Sequence, residues 1–317
     1  MMSDVSVLSP GLFSVAAIDP ETAAFNAQLA TTMAGIPPVW TLPPAVTREA
    51  RESGRGPLGP LVLSDMAVNR TIPTKDGALT LRTFVPERVA GVYLHFHGGG
   101  WTIGRAHHSD PMLETMARTG NLAIVSVDYR LAPEDPYPAG PDDCEAAALW
   151  LVQNAKAEFG SERLLIGGES AGAHLSVTAL LRLREKHGLR PFSRANLVFG
   201  CYDLAMTPSA RNAPPDTLVL PRNSIEWFVE QFGVLDKLRE PDVSPIWADL
   251  HGLPPALFSV GTLDSLLDDS LFMYALWIAA ENSAELAIYP GGVHNFSMFP
   301  YALAQAANRR ATEFLQE

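Results

Sequence analysis

Hydrophobic and polar positions along the chain fall into two alternating patterns. Short apolar runs recur at Val92–His97, Leu122–Asp128, Leu164–Gly167, Ala195–Tyr202, Ala256–Val260 and Glu285–Tyr289, and their length suits buried strands. Leu79–Val85 reads as a further strand. Between these runs, apolar residues return every three to four positions, as a helix with one buried face requires. Pro141–Phe159 shows this most clearly. Cys144, Ala147, Ala148, Leu151, Val152, Ala155 and Phe159 share one face, and Gly160 ends it. Helices are also predicted over Pro20–Ala34, Ser109–Thr119, Ala171–His187, Leu266–Asn282 and Tyr301–Leu315. Ser109–Thr119 has Pro111 near its first turn and Gly120 as a stop. Such alternation predicts an α/β fold around a mostly parallel sheet.

Two intervals break the rhythm. Residues 36–60 hold Pro37, Pro38, Pro43, Pro44, Pro57 and Pro60 with Gly54, Gly56 and Gly59. That stretch reads as a linker, because it cannot be one continuous helix or a central strand. Leu204–Glu240 is rich in Pro, Asn and aromatics and is helical near Ser224–Phe232. Its length and the cluster Trp227, Phe228 and Phe232 favour a lid over a site, against the plainer reading of a surface excursion. No internal repeat or low-complexity tract appears.

Composition narrows the class. The chain has 317 residues, of which 47% are hydrophobic and 18% charged, which excludes wholesale disorder. The length suggests about two domains, or one large α/β unit. A net charge of −12 without a long Lys/Arg run disfavours nucleic acid as a partner. Two cysteines, Cys144 and Cys201, make no CxxC pair and suit a reducing compartment. Met1–Leu12 has no basic residue and carries Asp4, so it does not read as an export signal. The longest uncharged apolar run, Leu271–Ala280, is half of a membrane span. A cytoplasmic location without stable membrane insertion is the expectation.

The sharpest chemical signal is Gly168-Glu169-Ser170-Ala171-Gly172, with a strand before it and a helix after it. That is the context of a nucleophile elbow, a strained turn that lifts a serine hydroxyl clear of a sheet. Ala171 N–H then lies at a helix N-terminus, where free donors favour negative charge. A second signal, His97-Gly98-Gly99-Gly100-Trp101, follows another strand. Three glycines there expose backbone N–H groups, as an oxyanion hole requires. A flexible turn is the bland alternative. A phosphate loop lacks support, because there is no GxxxxGK[ST] pattern.

A serine nucleophile needs a base and the base needs an orienting acid. In hydrolases with such an elbow the order along the chain is serine, acid, histidine. Of eight histidines, only His251 and His294 lie beyond Ser170 and its helix, and only His294 follows the last strand. Asp264, closing the strand Ala256–Val260, is the favoured acid, and Asp203 after Ala195–Tyr202 is its rival. Asp268 and Asp269 fall in a first helical turn, where carboxylates commonly complement the dipole.

Together these segments resemble the hormone-sensitive-lipase-like family of α/β-hydrolases. The matching pieces are HGGGW at 97–101, Tyr129–Glu134, GESAG at 168–172, Asp264–Asp269 and His294-Asn295-Phe296, in family order. The elbow carries Glu169 where many relatives have Asp or Thr, and Ser265 stands where relatives often have Pro. The resemblance implies an α/β-hydrolase fold, with an eight-stranded, mostly parallel sheet flanked by helices and topped by a helical cap. It implies Ser170, Asp264 and His294 as a triad with Gly99, Gly100 and Ala171 as oxyanion donors. The cap would join an N-terminal segment (1–50) to the insert 204–240, over a core of 51–203 and 241–317.

The expected reaction is hydrolysis of short- to medium-chain acyl esters by a serine carboxylesterase, with a small-molecule ester as partner and no metal or organic cofactor. Trp40, Trp101, Trp227, Phe228, Phe296 and Met298 are candidate walls of an apolar substrate pocket. Rival readings are a non-catalytic small-molecule binder on the same fold and an amidase with the same triad. A homodimer is compatible with the resemblance.

Overall fold

The computed structural model describes residues 8–317. The expectation that Met1–Leu12 carries no export signal rests mostly on residues outside that range. Eight strands, β1 (Ala67–Thr74), β2 (Gly77–Phe84), β3 (Gly91–Phe96), β4 (Leu122–Asp128), β5 (Leu164–Glu169), β6 (Phe192–Val198), β7 (Ala256–Gly261) and β8 (Ala284–Tyr289), form one sheet. Their order is β1-β2-β4-β3-β5-β6-β7-β8. Strand β2 runs antiparallel to both its neighbours, β1 and β4, and every other pairing is parallel. Nine α-helices are described: α1 (Pro20–Ala34), α2 (Pro44–Glu52), α3 (Asp110–Gly120), α4 (Ala139–Phe159), α5 (Ala171–His187), α6 (Pro208–Asn212), α7 (Arg222–Phe232), α8 (Leu267–Ala279) and α9 (Ala302–Gln316).

Helices cover both faces of the sheet, and alternation along each strand supplies both cores. Val92, Leu94 and Phe96 of β3 join Leu164 and Ile166 of β5 against α4 and α5. Tyr93 and Leu165 point the other way, to Leu113 of α3 and Phe314 of α9. This double burial is why the central strands read as unbroken apolar runs.

The outer strand β1 lacks such a pattern. Of its eight residues only Ile72 is buried, and Pro73 sits in it because an edge strand can spare an N–H. The 36–60 interval also differs from a linker. Helix α2 fits between its prolines, with Pro44 in the first turn, where a missing N–H costs nothing. Its span crosses residue 50, the boundary read for the N-terminal segment. Strand β6 begins earlier than read and ends at Val198, and Phe199 turns out of it with φ 36°. Asp203 therefore lies on a loop instead of a strand end.

Candidate active site

Ser170 stands between β5 and α5, at the C-terminal edge of the sheet. Its backbone has φ 56° and ψ −119°, a conformation that side chains avoid and that costs of order 1–3 kcal/mol. The turn is tight enough that a Cβ on Gly172 would collide with the Phe96 carbonyl oxygen. Ser170 N–H donates to Val198 O (2.9 Å), and its carbonyl accepts from His174 N–H (3.1 Å), so the strained turn is held from both sides.

His294 arrives on the loop after β8, and Asp264 on the loop after β7. These strands are neighbours, with Gly261 opposite Tyr289. Their loops are joined by Leu263 N–H donating to Gly292 O (3.0 Å) and Gly291 N–H to Thr262 Oγ1 (2.9 Å). His294 Nδ1 lies 2.9 and 3.0 Å from the two Asp264 oxygens. That contact places the proton on Nδ1 and leaves Nε2 to accept from the Ser170 hydroxyl, 2.9 Å away. Asp264 and His294 are buried, and Ser170 is half-buried. The serine, histidine and acid thus form one hydrogen-bonded chain. Asp203 instead accepts from Ala205 N–H (3.0 Å) and Trp247 Nε1–H (3.4 Å).

The glycine loop lies beside the serine. Gly99 (φ 113°) and Gly100 (φ 56°) have positive φ, and a Cβ on Gly100 would collide with the Phe228 ring. Tyr129 supports the loop. Its hydroxyl donates to His97 O (2.8 Å), and its ring stacks on the His97 imidazole at 4.2 Å. Burial pushes the His97 pKa down to about 3, so the ring is neutral, and Nδ1–H donates to Gly98 O (2.8 Å). The Tyr129–Glu134 segment is thereby a strut for the glycine loop.

A cavity of about 720 Å³ opens over Ser170, His294 and the glycine loop. Of the six aromatic and Met positions read as walls, Trp40, Trp101, Phe228 and Met298 line it. Trp227 and Phe296 do not, which corrects that expectation. Trp227 lies about 100° round α7 from Phe228 and packs edge-on against its ring, away from the cavity lining. Phe296 is fully buried between Phe199 and Tyr289, under the histidine loop.

A family profile described as the alpha/beta hydrolase fold matches residues 93–298, more than half of the chain. The chain belongs to the alpha/beta hydrolase fold family. It is 34% identical over 272 residues to the carboxylesterase NlhH of Mycobacterium tuberculosis, covering 79% of this chain and 82% of that protein. It is 30% identical over 254 residues to the carboxylic ester hydrolase LipN of the same organism, covering 75% of this chain and 66% of LipN. The hyperthermophilic esterase of the archaeon Pyrobaculum calidifontis superposes with a TM-score of 0.85 at 26% identity, over 94% of this chain and 98% of that one. These relatives agree with the hormone-sensitive-lipase-like resemblance of the motifs.

Within this hydrolase fold, several supporting residues escaped the sequence reading. By position in the first turn of α8, Asp269 is a helix-dipole carboxylate. It is fully buried and accepts from Tyr202 N–H (2.6 Å), Asp203 N–H (2.9 Å) and Thr207 Oγ1–H (2.6 Å). Burial outweighs these three donors and pushes its pKa up to about 7. His174 accepts from Trp101 Nε1–H (3.0 Å) and donates through Nε2 to Val243 O (2.9 Å). Behind the nucleophile, Glu169 faces the fully buried His95 at 3.0 Å, and His95 Nδ1 accepts from Ser126 Oγ (2.8 Å). No spacing in the sequence announces these pairs, because each joins residues far apart in the chain.

Proposed function

We infer that this chain is a carboxylic ester hydrolase acting on short- to medium-chain acyl esters through Ser170, His294 and Asp264. The observation that carries this reading is the hydrogen-bonded chain of those three side chains at the floor of a cavity. In this mechanism Ser170 Oγ attacks the ester carbonyl carbon while His294 Nε2 takes its proton. Asp264 keeps the imidazole in the Nδ1–H tautomer and stabilises the imidazolium that forms. The N–H groups of Gly99, Gly100 and Ala171 hold the oxyanion of the tetrahedral intermediate. Collapse of that intermediate breaks the carbon–oxygen bond, and His294 gives its proton to the departing alcohol. Water then attacks the acyl-enzyme with His294 again as base, and the acid leaves.

The esterase names of the relatives, at 34% and 30% identity over most of this chain, support the same chemistry. No metal or organic cofactor is needed at any step. Residues of the N-terminal segment (Met33, Trp40) and of the insert (Leu218, Phe228) line the cavity, which supports their reading as a two-part cap. Among the described residues no helix is long and apolar enough to cross a membrane. A cytoplasmic location and a homodimer complete the reading, and cell fractionation and light scattering check them. The direct test of function is a panel of p-nitrophenyl esters, with labelling of the serine by a fluorophosphonate. A protein that neither turns over esters nor takes the label is a binder and not a hydrolase.

A further inference from the structure

The cavity wall carries one polar feature that ester cleavage does not use. Four basic side chains other than His97 and His294 line it: Arg51, Arg55, Arg105 and His108. Three of them face a carboxylate. Arg55 pairs with Glu49 (3.1 Å), Arg105 with Asp128 (3.1 Å) and His108 with Glu52 (2.8 Å). Arg51 has no carboxylate partner within ion-pair distance among the described residues. The acid next to it in sequence, Glu52, spends both oxygens on His107 and His108. One Arg51 Nη1–H donates to Gly59 O (3.1 Å), and its other N–H groups have no protein acceptor among the described residues.

One turn earlier on the same face of α2 stands Thr47, which also lines the cavity. Its Oγ1 is buried and has no hydrogen-bond partner. A buried hydroxyl without a partner is costly, and a half-buried guanidinium without a carboxylate partner is open to an anionic ligand. The same lining carries the apolar side chains of Met33, Trp40, Ile103 and Leu218. The carboxylates on that wall are Glu169, turned to His95, and Asp216, exposed on the insert.

We propose that Arg51 and Thr47 form a carboxylate-binding subsite, so that the preferred esters carry a free carboxylate away from the scissile bond. A guanidinium fork matches the two oxygens of a carboxylate, and the Thr47 hydroxyl, covered by its neighbours here, adds a further donor once its side chain turns toward the cavity. One unpaired cation balances one negative charge, which favours a carboxylate over a phosphate dianion. Partial burial draws the Arg51 pKa below its ordinary value, and it stays charged. The protein is acidic overall, at −12, so a cation without a carboxylate partner on this wall is not a by-product of its composition. The proposal rests on the hydrolase reading and names the substrate class for the same site.

Matched pairs of esters test it. One pair puts the carboxylate on the acyl side: p-nitrophenyl hexanoate against the mono-p-nitrophenyl ester of adipic acid. The other puts it on the alcohol side: pentyl acetate against acetoxypentanoate, read by acid release. The quantity measured is kcat/KM for the charged ester divided by that for its neutral match. Each ratio is internal to one protein, so partial loss of folded enzyme cancels. In at least one pair, Arg51→Met lowers this ratio about 10- to 100-fold and Arg51→Lys recovers part of it. Thr47→Val, a change of similar shape, lowers the same ratio about threefold or more. If Arg51→Met leaves the ratio in both pairs within about twofold while neutral esters are cleaved, the subsite is overturned and the hydrolase reading stands. If the wild-type protein cleaves no ester, both fall together.

Discussion

Ser170 sits at φ 56° without being glycine, and its surroundings explain why the strain persists. The hydroxyl must clear the sheet edge, and hydrogen bonds to Val198 and His174 over-determine the turn. Ser170→Ala should lower ester turnover by at least about 10⁴-fold and abolish fluorophosphonate labelling, with unchanged circular dichroism. Ser170→Gly should be equally inactive but more stable by about 1 kcal/mol in chemical denaturation, because glycine accepts the angle freely. A Gly variant less stable than wild type would remove strain as a property of this turn. The two acids are separated by the same assay. Asp264→Asn removes the negative charge that stabilises the imidazolium and puts an amide that can donate to His294 Nδ1 in its place, favouring the wrong tautomer, and should cut kcat by about 10³- to 10⁴-fold. Asp203→Asn should stay within about threefold of wild type, because Asp203 contacts Ala205 and Trp247 instead of the histidine.

At the scale of elements, α8 does more than follow β7. Its first turn holds the start of the insert. Asp269 takes the 202–207 loop, and Asp268 accepts from Ser209 N–H (2.8 Å), while Ser209 Oγ accepts from Asp268 N–H (3.0 Å). Ser265 Oγ–H adds a bond to Leu220 O (2.6 Å). The insert is therefore anchored by the same segment that supplies Asp264. Asp269 also makes this anchor pH-sensitive. Its pKa is near 3.8 when unfolded and about 7 in the folded protein. Between about pH 4 and 7 the folded state keeps a proton that the unfolded chain has released, so its stability contribution falls as pH rises and is flat above. Relative to Asp269→Asn, which cannot ionise, wild type should lose up to about 4 kcal/mol across that window. Denaturant titrations of both proteins at several pH values give this difference directly. A constant gap between them would mean that Asp269 is not proton-bound when folded.

At the scale of the whole molecule, the sheet brings four loops to one edge, and residues from the N-terminal part of the chain and from 204–240 line the cavity beside them. The cavity of about 720 Å³ between them is bounded by Trp40 and Met298 as well as by the glycine loop. A bounded cavity of that size favours dissolved esters whose acyl chain fits inside it. Activity on p-nitrophenyl esters should peak among short and medium chains and decline beyond about twelve carbons. A maximum on long-chain emulsions would instead assign the protein to lipases.

The sequence by itself determined the core and the chemistry that local context can carry. Strands β3, β4, β5 and β7 announced themselves because both their faces are buried, and α4 because only one of its faces is. The elbow and the glycine loop were legible because each is a single turn whose tight backbone demands particular residue types over a few consecutive positions. Strand β1 was not, since an edge with one buried residue leaves no periodic trace. Tertiary structure decided which acid serves the histidine. Asp264 and Asp203 follow similar apolar runs, and only the pairing of β7 with β8 brings one of them to His294. It also decided which aromatic lines the cavity, Phe228 over Trp227, and set Arg51, which has no carboxylate partner among the described residues, and Thr47 on its wall. Such choices rest on contacts between residues tens to hundreds of positions apart, and no local pattern encodes those.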